Sequence, residues 1–116
     1  MNDTETGWQA RAEIALLAAL KTAQPISYEA LATAAEIPSP HRIHKLTLWL
    51  EHTMAEDVAA NTPIRATIVV SRLHNWPARG FFDAAQRLGV LEAGMQAEKQ
   101  RDWFHTQQIA ACTAFA

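Results

Sequence analysis

One cysteine, Cys112, stands among 116 residues, so neither a disulfide framework nor a cysteine-based zinc cluster can form within a single chain. That usage fits a reducing compartment. Apolar runs are short: the longest, Ile14-Ala15-Leu16-Leu17-Ala18-Ala19-Leu20, falls far below the ~20 residues that span a bilayer, so no membrane segment is expected. The glycines Gly7, Gly80, Gly89 and Gly94 are too scattered to cradle a phosphate, and no Walker loop occurs. Met1 to Gly7 is acidic and polar, without the positive charge and apolar core of a secretory signal. The expectation is a cytoplasmic protein with a flexible N-terminus over residues 1–7.

Charge of one sign is also scarce, since the net charge is only −2. A chain so balanced does not coat nucleic acid indiscriminately, because phosphate neutralisation needs clustered cations. The distribution is nevertheless uneven. Residues 1–37 carry Arg11 and Lys21 against Asp3, Glu5, Glu13, Glu29 and Glu36. Residues 38–87 carry six Lys or Arg against four acids, together with four of the five histidines. The middle of the chain is the electropositive part.

What is abundant is ordinary globular material: 49% of residues are apolar and 19% charged. A chain of this length makes one domain and buries roughly two thirds of the surface its unfolded form exposes. The Ala- and Leu-rich stretch from Trp8 to about Lys21 predicts a helix, apolar around much of its circumference and central in the core. After Gln24-Pro25, Ser27 as cap and Glu29 in the first turn predict a second helix to about Ala35. Ile37-Pro38-Ser39-Pro40 stops it, and Ser39 as cap with Pro40 at the first helical position predicts a third. Its apolar stripe is Ile43, Leu46, Leu50 and Met54, ending at Asn61-Thr62-Pro63.

The β-branched run "IRATIVVSR", Ile64 to Arg72, predicts a strand, and "LHNWPARG" a loop. Phe81 to Leu88 predicts a short helix closed by Gly89, followed by a last helix from Leu91 to about Thr113. The fold class expected is mainly α with a small β-wing. It divides into a winged-helix-like three-helix core over residues 8–89 and a C-terminal helix over 90–116, which packs on the core or forms a dimer seam.

This order, with "ISYEALATAAEI", a tight turn, a helix opened by "SPHRIHK", and a strand with an arginine-bearing loop, resembles a winged helix-turn-helix domain. More narrowly, "ISYEALATAAEIPSPHRIHKL" followed by "PIRATIVVSR" and Gly80-Phe81 resembles the DNA-binding half of alkylguanine-DNA alkyltransferases. In that family a Pro-Cys-His-Arg strand carries the nucleophile. Here "IVVSR" has no cysteine, which rules out alkyl transfer. The resemblance then implies a scaffold, with nucleotide contact by Tyr28 and Arg42 as an analogy.

Catalytic constellations are wanting elsewhere. His41 and His44 have the three-residue spacing of neighbouring helical turns, but His52 lies about 12 Å of helix rise from His44 and cannot complete a metal shell. Cys112 and His105 are separated by roughly 10 Å of helix, beyond direct proton transfer, and "IAACTAFA" surrounds the thiol with apolar residues. Glu56 and Asp57 are adjacent and point apart. No catalytic residue, metal or cofactor is expected.

Nucleic-acid binding has better geometry. Arg42 and Lys45 lie in the first turns of the candidate recognition helix, with Ser39 and His41 at its start. Arg72, His74, Arg79 and in addition Arg65 are placed on the wing, with Trp76 either at its tip or packing the loop onto the domain together with Phe81. The candidate DNA-binding set is therefore Tyr28, Ser39, His41, Arg42, Lys45, Arg72, His74 and Arg79. The favoured reading is a non-enzymatic protein that binds duplex DNA weakly or as a homodimer through the C-terminal helix, with regulation of transcription as its suggested role. The alternative is a protein-interaction module that keeps the scaffold without nucleic-acid binding. An enzyme with a small-molecule pocket between the wing and the C-terminal helix would require an assembled cleft there.

Overall fold

The computed structural model describes residues 3–115; Met1, Asn2 and Ala116 lie outside the described residues. Among the described residues, five helices and one small sheet follow in the order α1 (Asp3–Thr22), β1 (Ile26–Ser27), α2 (Tyr28–Ala34), α3 (Arg42–Ala59), β2 (Val69–Val70), α4 (Arg79–Arg87) and α5 (Ala97–Ala114). Between α3 and β2, Arg65–Ile68 form a 3₁₀ turn. α1 starts at Asp3, so helix takes in residues expected as a flexible N-terminus. It buries one face only, Trp8, Ala12, Leu16, Ala19 and Leu20, and leaves Ile14 71% exposed. The i, i+4 stepping of those residues accounts for the single face.

The centre of the core is instead the segment Ile64–Val70, in which every residue except Arg65 is buried. It packs against α1, α3 and α5 at once. Sequence predicts a strand through Arg72, whereas only Val69 and Val70 are extended, pairing in parallel with Ile26 and Ser27. The preceding residues turn because Thr67 caps its own turn: its N–H and hydroxyl both donate to the Ile64 carbonyl, at 3.3 and 2.8 Å. A run buried on all sides has no period, so it reads alike as strand or turn.

The ends of α1 to α4 follow one pattern. At α1, Gln24 N–H donates to Ala19 O and Ala23 N–H to Leu20 O, with Ala23 at φ 55°. The same pair of bonds closes α2 at Glu36, α3 at Asn61 and α4 at Gly89. These are Schellman caps, which satisfy carbonyls left over in the last turn. Glycine occupies only the last of them, and at the other three the chain reverses through Ala23, Glu36 and Asn61, which enter the left-handed region at some cost.

Starts are less uniform. Ser27 caps α2 as the sequence predicts, its hydroxyl accepting from Ala30 N–H at 3.0 Å. α3, by contrast, begins at Arg42 behind His41, whose φ is 62°, rather than at Pro40 behind Ser39. The side chains at the helix start account for the shift: they bind back onto Ile37 and Pro38, so the turn is folded against the helix instead of leading into it. α3 buries Leu46, Leu50, Thr53, Met54 and Asp57, while Ile43, expected inward, is 41% exposed.

α5 starts six residues later than Leu91, the start predicted from sequence. Leu91 is buried and Val90 and Met95 pack partly on the core, but from a non-helical connection that contains Gly94 at φ 80°. α5 docks through Phe104 and Ala111, and Gln108 Nε2 donates to the Thr67 carbonyl at 2.8 Å. One continuous core thus runs from Trp8 to Ala111.

Candidate nucleic-acid interface

The first turn of α3 is where the local sequence concentrates cations. Arg42 Nε donates to Ile37 O at 2.9 Å, and Lys45 Nζ to Pro38 O at 3.1 Å. Both side chains are thereby laid along the tight turn between α2 and α3. Ser39, His41 and His44 are exposed beside them. No side chain caps this helix start. Its leading N–H groups and the positive end of its dipole therefore add to the charge of the side chains. Carboxylates appear on α3 only from Glu51 onward, where Glu51 pairs with Arg87 at 3.0 Å.

Ion pairing sorts the arginines into two groups. Arg11 lies 3.6 Å from Glu36 and donates to Ala35 O at 2.7 Å. Arg65 is the centre of a network, with Asp57 at 3.0 Å and Glu13 and Glu56 each at 3.4 Å. Burial works against the Arg65 charge, but the hydrogen bond and charge of Asp57, together with Glu13 and Glu56, hold its pKa above the ordinary arginine range. Arg65, placed on the wing by sequence, is thus committed to the fold. Arg42, Arg72, Arg79 and Arg101 form no ion pair among the described residues.

Tyr28 does not face outward. It is buried, and its hydroxyl accepts a 2.7 Å hydrogen bond from the Ala78 N–H. Desolvation raises its pKa, an effect partly offset by that N–H. The bond draws the residues leading into α4 against α2 and α3, and the crevice left between Tyr28, Thr47, Glu51 and Ala78 holds only about 10 Å³. No ligand larger than a water fits there. Arg79 emerges exposed at the first position of α4, and Arg72 and His74 are exposed in the loop before it.

That loop is firmly built. Ser71 N–H donates to Trp76 O at 2.7 Å, and Asn75 N–H to Ser71 O at 3.0 Å. Trp76 packs inward, 5.3 Å from both Phe82 and Phe104 between ring centroids, so it anchors the loop rather than capping its tip. The outer side of Trp76 meets α5. There His74, Asn75, Trp76, Arg101 and His105 line an open cleft of about 470 Å³. Arg101 and His105 were not among the site residues expected from sequence; the only signal for them is the spacing of four that puts both on one helix face.

The other candidate chemistries stay unassembled. His41 is outside α3 while His44 is within it, and no group of three or more metal-ligating side chains occurs among the described residues. Cys112 is half-buried, its thiol pushed above the ordinary range by burial. His105 is turned to Trp76 and Phe104. Among the described residues no helix is long and apolar enough to cross a membrane. No protein-family model matches this sequence, and neither the curated proteins nor the solved structures give a match.

Proposed function

We propose that this chain is a non-enzymatic duplex-DNA-binding domain, winged-helix-like in its arrangement of α1, α2 and α3. It engages phosphates with the first turn of α3, through Ser39, His41, Arg42 and Lys45, and with Arg72, His74 and Arg79. The observation that carries this reading is the division of the arginines. Arg11, Arg65 and Arg87 are consumed by carboxylates, whereas Arg42, Arg72 and Arg79 form no ion pair among the described residues. Cations left without carboxylates release counterions when phosphates replace them, which is the main source of such affinity. Tyr28 has no part in the contact.

The test is a titration of labelled duplex at several salt concentrations. Three to four phosphate contacts predict that affinity falls roughly 40- to 150-fold between about 50 and 200 mM salt. Replacing Arg42 and Arg79 by Gln should weaken binding and make the slope shallower by about two. Absence of binding at low salt overturns the proposal.

A second reading, as a protein-interaction module, is favoured by Ile43 and Leu48, which are 41% and 54% exposed on α3. A homodimer through α5 is compatible with either reading and would centre on Ile109, 67% exposed. Sedimentation across a concentration series decides the seam: a dimer that Ile109→Asp dissociates supports it, and a monomer throughout removes it.

A further inference from the structure

The cleft between the loop 71–78 and α5 has a composition unlike the rest of the surface. Its lining, His74, Asn75, Trp76, Arg101 and His105, offers a guanidinium, two imidazoles, a carboxamide and an indole, and contains no carboxylate. Every polar group there except a neutral imidazole nitrogen and the amide oxygen is a donor. Such a lining favours an anion. Its aromatic part is equally specific, because Trp76 has the Arg101 guanidinium over its ring, 6.0 Å from the centroid, and His105 at 6.5 Å, edge to face. Flat groups therefore surround the opening.

The parts are held in place before any ligand arrives. Trp76 is fixed from behind by Phe82 and Phe104, its carbonyl is bound by Ser71, and Tyr28 holds the chain two residues on at Ala78. Arg101 and His105 project from one face of α5, which is itself anchored through Phe104. Little conformational freedom of the loop remains to be lost on binding. The volume, about 470 Å³, lies within the range of small-molecule sites.

We infer that this cleft binds a nucleotide, with the base against Trp76 and the phosphate on Arg101, His74 and His105. A planar fork of the guanidinium type matches phosphate in two parallel hydrogen bonds, and indole is a stacking surface that accepts any base. The nucleotide comes from one of two sources, a free mononucleotide or one unit of a single strand. The site is separate from the first turn of α3 and does not depend on duplex binding there.

Adenosine monophosphate, inorganic phosphate and a short single-stranded deoxyadenosine oligomer are titrated into the full chain. Trp76 is followed by its indole N–H resonance, assigned with Trp76→Phe. Adenosine monophosphate should shift that resonance and the amides of His74, Asn75, Arg101 and His105, saturably and at lower concentration than inorganic phosphate. Arg101→Gln, an exposed position where the fold is not at risk, should weaken binding at least roughly tenfold. Arg42→Gln should leave it unchanged, which separates this site from the first turn of α3; His74 alone is common to this site and to the proposed duplex contacts. An oligomer that binds much more tightly than the mononucleotide identifies a strand as the source, and equal affinity identifies the free nucleotide. The inference is overturned if millimolar mononucleotide and the oligomer both leave the Trp76 resonance unmoved, or if Arg101→Gln binds as the parent does.

Discussion

The Tyr28 hydroxyl accepts a hydrogen bond from the Ala78 N–H at 2.7 Å, joining two residues that are fifty positions apart. Tyr28 opens α2 and Ala78 precedes α4, so this single bond sets the loop that carries Arg72, His74 and Trp76 against the α2–α3 pair. Both proposed contact surfaces lean on it. A side chain that sequence assigns to nucleotide contact is in fact what positions the residues able to make one.

Tyr28→Phe keeps the ring and removes the acceptor, leaving the Ala78 N–H without its partner in a half-buried place. The expected loss is about 1–2 kcal/mol, read from the urea midpoint at unchanged slope. The parent protein should also lose stability in alkali. Burial lifts Tyr28 above its ordinary value of 10.0 in the folded state. Above about pH 10 the unfolded chain has therefore released a proton that the folded chain keeps, and stability falls as pH rises further. Below that window the contribution is complete. Parent and Tyr28→Phe should converge as pH rises above about 10; curves that stay parallel there would refute the assignment.

A different prediction concerns Asp57 and Arg65. The Asp57 carboxylate accepts from both the Arg65 N–H, at 2.9 Å, and its Nε, at 3.0 Å, with side-chain exposures of 6% and 11%. Asp57→Asn leaves the guanidinium buried beside an uncharged partner and should cost about 3 kcal/mol in urea unfolding. Glu13→Gln and Glu56→Gln remove carboxylates that are more than half exposed, and each should cost less than about 1 kcal/mol. Equal losses for all three would contradict the view that Asp57 is the dominant partner of Arg65.

These residues also show what was legible beforehand. Ser27 announced α2 because a hydroxyl at a cap has a local cause, and Gly89 ended α4 for the same kind of reason. Ala23 and Glu36 end helices with identical bonds, yet neither residue type signals a left-handed turn. Residues 64–68, expected as strand, and residues 91–96, expected as helix, depart from sequence for a related reason. Burial on every side, or by isolated contacts from a loop, imitates the spacing that a regular element produces. At the candidate interface, the exposure of Ser39, His41 and Arg79 followed from local polarity. The burial of Tyr28, the capture of Arg65 by Asp57 and the meeting of Trp76 with Arg101 and His105 all depend on how distant segments dock. Nothing local marks them.

The thiol of Cys112 gives the last prediction. Two conditions make a cysteine reactive, a lowered pKa and access, and this one has neither in full. Burial raises its pKa, and the side chain packs partly against the core from the last turns of α5. His105, seven residues back on the same helix, contacts Trp76 and Phe104 and is not a base for it. Alkylation by iodoacetamide near pH 8 should therefore be several-fold slower in the folded protein than in urea, since less thiolate is present at that pH. The folded-state rate should go on climbing as pH passes 9.0, the ordinary value for the thiol, instead of levelling there. A folded-state rate equal to or above that in urea would show a thiolate stabilised by its surroundings, and the inert reading of Cys112 would be wrong.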